Sequence, residues 1–245
     1  MNARSSLFFF GIPGILMAVG VRRLVPHTVE AGWPLIVSYP LFLWGPVLIL
    51  LAGVVVYFHR QRSAGTSFVA RFRLKPIRGK TWLWVLGGFL VVQALELLLA
   101  PTRKILAQLP MLAPPPYTPQ LFHPGFEIGE GVTQLLGVPL EGNWWLIGFW
   151  LLWLVVNIGG EELLWRGWAL PLQERFFGKH AWLLNGILWN VMVHAFMPWG
   201  YFTLLPVSLI LPYLVQRHGS TWIGIVIHGL GNLLVLALII PGIAG

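Results

Sequence analysis

Apolar residues run along this chain in blocks long enough to cross a bilayer, and polar residues are confined to the gaps between them. The apolar windows lie near 7–24, 35–58, 81–100, 144–165, 181–198, 201–216 and 220–241. A helix rises about 1.5 Å per residue, so roughly 17–25 such residues span about 30 Å of hydrocarbon. The pattern predicts an all-α, polytopic integral membrane helix bundle of about seven transmembrane helices, six to eight because the first and sixth windows are the weakest. Pro13, Pro206 and Pro212 interrupt candidate spans, which a bundle tolerates when neighbouring groups re-satisfy the freed carbonyls.

Composition strengthens this picture. A chain of 245 residues that is 57% hydrophobic and only 10% charged does not read as a soluble domain. The net charge of +8 could suit nucleic acid, but its placement argues otherwise. Arg60, Arg62, Arg71, Arg73, Lys75, Arg78 and Lys80 crowd one gap between apolar windows, which reads as an orientation signal and an anionic-lipid contact. Placing that loop in the cytoplasm brings Arg4, Arg166, Arg175, Lys179 and Arg217 inside as well. Only Arg22, Arg23, Arg103 and Lys104 are left outside, and the opposite orientation reverses the ratio. The partners expected are therefore the lipid bilayer and a membrane-associated peptide or protein, with no nucleic acid; the brevity of the chain suggests a bacterial plasma membrane.

Cysteine is absent, which removes disulfides, thiol nucleophiles and thiolate metal sites, and every acid is a glutamate. The segment "GVRRLVP" after the first window is a poor small-residue cleavage site, so that window reads as a span and not a signal peptide. With no internal repeat, residues 1–245 read as a single integral membrane domain. Residues 101–143, with their extended "APPPYTPQ" stretch, read as an external loop, a solvated connector and not a substrate lid.

Some polar residues are out of place in such a chain. In "NIGGEELLWRGWALPLQER", Glu162 and Arg166 are four apart, the spacing at which a glutamate stabilises a basic residue one turn on. Glu161 points about 100° away and is left over, a carboxylate where water is scarce that could act as a base. His194 and His228 lie within apolar windows, with Asn190 four before the first and Asn232 four after the second. That spacing places imidazole and carboxamide on one face. With Ser220 and Thr221 as N-cap, His228 would lie roughly 10–12 Å into its span. Glu96, alone in "QALELLL", reads as a structural residue, and His27, His59, His123, His180 and His218 fall in loops or span ends.

A base, two imidazoles and amide donors inside a membrane suit water activation and oxyanion stabilisation. An aspartyl dyad, a GxSG serine motif and an HExxH zinc motif are all missing. The run "GGEELLWRGWALPLQER", a histidine followed by proline in "HAFMP", and "STWIGIVIHGLGN" together resemble the CPBP family, the type II CAAX prenyl proteases and their bacteriocin-processing and immunity relatives. These motifs occupy residues 160–232, within an expected catalytic core of 140–241. The resemblance implies an intramembrane endopeptidase, CAAX protease-like, with its site open toward the cytoplasm. It maps Glu161 and Glu162 onto the family's paired glutamates, Arg166 onto its arginine, His194 onto its second-motif histidine, and His228 with Asn232 onto its final HxxxN.

One departure from the family pattern stands out. Many members carry an aromatic four residues before the second-motif histidine, whereas here Asn190 holds that place and Trp189 comes one earlier. Two further questions stay open at this level. Glu161, His194 and His228 could supply a His₂Glu set for zinc or another divalent metal, although they come from separate helices and second-shell carboxylates are scarce. The same residues could equally activate water by hydrogen bonding alone. The alternatives to a protease are a non-catalytic bacteriocin-immunity or scaffolding protein of the same family, and a small transporter using these residues as a proton path.

Overall fold

A computed structural model of the chain describes residues 1–61 and 65–245; of the basic loop, Arg62 lies outside the described residues. Five stretches are long and apolar enough to cross a membrane: Ala3–Glu30, Leu35–Gln61, Thr81–Leu99, Trp145–Val193 and Thr221–Ala244. The fourth stretch is not a single rod. At Gly178 the backbone takes φ 55° and ψ −132°, which ends the helix and suits glycine. Residues 145–177 and 181–193 therefore form two helices that fold back on one another. Their pairing is antiparallel: Asn185 Nδ2 donates to the Trp165 carbonyl at 2.9 Å, and Trp189 Nε1 to Glu161 at 2.7 Å.

With Leu205–His218, the described fold is a polytopic helical bundle matching the seven apolar windows. Two boundaries differ from the sequence expectation. The first helix is the full-length one, Ala3–Glu30, whereas the fifth stops at Val193. Residues 194–204 make a bent link containing the short helix Pro198–Gly200, so the sixth helix begins only at Leu205 and, with 14 residues, is about 21 Å long.

The two ends of the bundle are chemically unlike. At one end the Met1 ammonium donates to the Leu172 carbonyl, and both terminal nitrogens of Arg73 bind Glu174, at 2.6 and 2.5 Å. Arg71 donates to the carbonyls of Gly167 and Trp168 with its guanidinium 3.7 Å from the centre of the Trp168 ring. Burial there pushes the Arg71 guanidinium down to about 10. Ser220 and Thr221 start the last helix as expected, but their hydroxyls do not cap it. They donate to the carbonyls of Lys75 and Phe72, tying the basic loop to the helix start.

At the other end lies the 101–143 segment, and here the expectation of a solvated connector fails. Pro101 opens a short helix, Pro101–Ala107, and the rest folds over the bundle. Arg22 donates to the Ala113 carbonyl, Trp199 Nε1 to the Phe122 carbonyl, and Gly142 N–H to the Ile243 carbonyl. Phe122 stacks against Tyr39 and lies against Trp153. Aromatic residues in this loop, invisible to a reading of its prolines, supply the packing. Exposed tryptophans mark both ends, Trp33, Trp144 and Trp145 at this one and Trp82, Trp84 and Trp222 at the basic one, as expected of an amphipathic ring at a membrane interface.

Candidate functional site

The fourth helix carries the two glutamates on an unusual backbone. Residues Leu154–Gly159 and Leu163–Ala169 form wide π-type turns on either side of Gly160–Glu162, a distortion frequent where a helix carries function. Because this helix lies inside the bundle, Glu161, Glu162 and Arg166 are all buried. Arg166 Nη1 stands 3.3 Å from Glu162 Oε1, so the pair expected from the four-residue spacing is formed. The same oxygen lies 3.0 Å from His228 Nδ1. Glu162 thus joins the fourth helix to the seventh, and it supplies the carboxylate behind a histidine that the sequence reading judged scarce.

That approach depends on a glycine. A Cβ at Gly224 would sit 2.2 Å from Glu162 Oε2, so only glycine lets the seventh helix come this close to the carboxylate. Gly14 does the equivalent on the far side of the fifth helix, where a Cβ would sit 2.1 Å from the Met192 carbonyl oxygen.

Among the described residues no cation pairs with Glu161, as the spacing implied, but its carboxylate has a partner. Trp189 Nε1 donates to its Oε2 at 2.7 Å, and no protein donor reaches Oε1 among the described residues. Trp189 belongs to another wide turn, Trp189–Val193. In a π-type turn residues five apart share a face, so Trp189 sits beside His194, their ring centroids 4.4 Å apart, while its other neighbours are the His228 ring at 5.4 Å and the Arg166 guanidinium at 4.3 Å. The aromatic missing four residues before the histidine is present five before it. The same wide turn breaks the expected pairing of Asn190 with His194. Asn190 Nδ2 donates instead to the Tyr201 carbonyl, and His194 Nδ1 faces the Trp189 carbonyl at 3.1 Å.

A carbonyl can only accept, so Nδ1 of His194 carries the proton and Nε2 presents a lone pair. The Glu162 carboxylate assigns the Nδ1 proton of His228 in the same way. Asn232 donates from Nδ2 to the backbone carbonyl of His228, and its own backbone carbonyl accepts from Trp150 Nε1.

Glu161, His194, His228 and Asn232 border one cavity of about 350 Å³. Its wall also includes Trp189 and Asn157, whose buried Oδ1 has no partner, together with Glu96 and Gln93 from the third helix and Arg103 and Phe122 from the 101–143 segment. No pattern in the sequence marks Asn157, Arg103 or Phe122 as site residues. The expected core of 140–241 therefore encloses only part of the cavity. The wall runs from Ile227 and Glu161 in the middle of the bundle to Arg103, Phe122 and Thr203 at the end away from the basic loop.

Among the described residues no group of three or more His, Cys, Asp or Glu side chains is placed to hold a metal ion. Glu161, His194 and His228 border one cavity but, as they stand, do not fit a His₂Glu zinc centre.

The fold and site define a polytopic helical membrane protein with glutamate and histidine gathered inside the bundle. Residues 143–234 match the family described as Type II CAAX prenyl endopeptidase Rce1-like, so the resemblance carried by the motifs holds over that stretch of a helical membrane protein. The chain is also 33% identical over 89 residues to UPF0177 protein YbdI of Lactococcus lactis subsp. lactis (strain IL1403). That match covers 36% of this chain and 46% of the relative, so the chain spans about half the length of the curated relative it matches. No solved structure matches the chain.

Proposed function

We propose that this protein is an intramembrane endopeptidase that hydrolyses a peptide bond of a membrane-associated or CAAX-like peptide or protein. The observation that carries this reading is the convergence of Glu161 from the fourth helix, His194 from the end of the fifth and His228 from the seventh on one cavity. Glu161 Oε1 takes a proton from water as the water oxygen attacks the peptide carbonyl carbon, while Trp189 holds Oε2. His194 orients that water through the Nε2 lone pair. His228, with Nδ1 on the Glu162 carboxylate, is the general acid of this scheme: its Nε2–H donates to the oxyanion and then protonates the leaving nitrogen as the C–N bond breaks. Glu162 and Arg166 position His228. Asn232 shapes the cavity beside it.

No step in this scheme passes through a metal, in keeping with the placement of the three side chains. The test compares membrane peptides from cells making the wild type with those from cells making Glu161→Gln, which keeps size and hydrogen bonding but removes the base. Peptides cut only in the wild type are the expected result. Identical peptide sets, with both proteins inserted and folded, would instead assign the chain to the non-catalytic immunity or scaffolding kind.

A further inference from the structure

Glu96 is an acid that the proposed chemistry leaves unused. It stands three residues before Leu99, the end of the third helix farther from the basic loop, and it forms part of the same cavity wall as Glu161 and His228. Its recorded partner is the Gln93 amide, donating to Oε2 at a long 3.3 Å. No cation pairs with it among the described residues. Arg103, the arginine of this wall, donates through Nη2 to the Phe122 carbonyl. Leu43, Val92, Leu121, Phe196, Met197 and Val207 supply apolar parts of the wall.

A carboxylate inside a span is costly, so one without a structural ion pair is a functional-site hypothesis by default. An ordinary buried acid would be neutralised by the fold's own cations, as Glu162 is by Arg166 and Glu174 by Arg73. Glu96 instead lies on the wall of the cavity that Glu161 and His228 also border. Across from it the seventh helix packs close at Gly231, where a Cβ would lie 3.5 Å from Gln93 Nε2.

We propose that Glu96 is a specificity determinant, accepting a lysine or arginine side chain of the substrate at a fixed number of residues from the scissile bond. This rests on the protease reading of the same cavity. A site that buries an acid against a matched cation rejects substrates lacking it, because the acid is then left unpaired.

The test digests a synthetic peptide library, presented in detergent micelles, with purified wild type, Glu96→Gln and Glu96→Asp, and maps cleavage sites by mass spectrometry. Wild type is expected to enrich lysine and arginine at one position relative to the cut. Glu96→Gln, which retains shape and the Gln93 contact, should lower that enrichment by at least about tenfold, and Glu96→Asp should keep part of it. Cleavage of neutral members of the library by Glu96→Gln reports that the variant is folded. Wild-type cleavage without basic enrichment, or enrichment unchanged in Glu96→Gln, overturns the inference while leaving the protease reading intact. A wild type that cuts nothing in the library overturns both.

Discussion

Residue by residue, the site is a set of side chains that hold one another. Trp189 fixes Glu161 and touches both imidazoles, so its N–H can be removed while its ring is largely kept. Trp189→Phe is expected to lower kcat by about tenfold or more with KM little changed, since the hydrogen bond orients a base and does not hold substrate. Steady-state kinetics on any peptide the wild type cuts checks this, and a pure KM effect would remove Trp189 from the machinery. Gly224→Ala should be equally damaging from a position that bears no functional group. The added carbon falls on the Glu162 carboxylate, so His228 loses its anchor and activity drops while the protein still inserts. The sequence displayed Glu161, Glu162, Arg166 and His228 because charge and imidazole in an apolar run are conspicuous. It concealed Trp189, because the three-and-a-half-residue arithmetic of an ordinary helix gives the neighbouring Asn190 that face.

On the scale of elements, the distorted fourth helix is where stability and chemistry are joined. Arg166 and Glu162 are both fully buried, with the arginine lying over Trp189. Removing one partner of a buried pair leaves an uncompensated charge and costs roughly 3–5 kcal/mol. Arg166→Ala should therefore melt well below the wild type in detergent and be inactive, with Arg166→Lys rescuing part of both. Wild-type melting of Arg166→Ala would mean that the pair is solvated and only caps a helix end. By contrast, Arg73 and Glu174 are partly exposed, and Glu174→Gln should cost no more than about 1 kcal/mol. The apolar windows revealed the number of helices, since hydrocarbon thickness sets their length. They could not reveal the wide turns or the packing of 101–143, which arise when aromatic rings of distant segments, such as Phe122, Tyr39 and Trp153, find one another.

The whole molecule is polarised along its axis, with the basic loop at one end and a cavity that reaches from mid-bundle toward the other. Arg60, Lys75, Arg78 and Lys80 are all exposed at the basic end, and the positive-inside bias places such a loop in the cytoplasm. The cavity wall at Arg103, Phe122, Met197 and Thr203 then faces the other side of the membrane, so substrate would enter from the non-cytoplasmic side or from the adjoining leaflet. The absence of cysteine from the chain makes this directly measurable, because a single introduced thiol is the only one present. In intact cells Met111→Cys, on the exposed part of the 101–143 segment, should react with a membrane-impermeant maleimide, whereas Lys80→Cys should react only after the membrane is opened. Neither substitution touches Glu161 or the histidines, so a folded, labelled protein can be read in both cases. Labelling of Lys80→Cys from outside with Met111→Cys protected would invert the molecule, place the cavity mouth in the cytoplasm and make this protein an exception to the charge rule. If Thr203→Cys, on the cavity wall, stays unlabelled even after the membrane is opened, the 101–143 segment seals the cavity from solvent and substrate must slide in between helices.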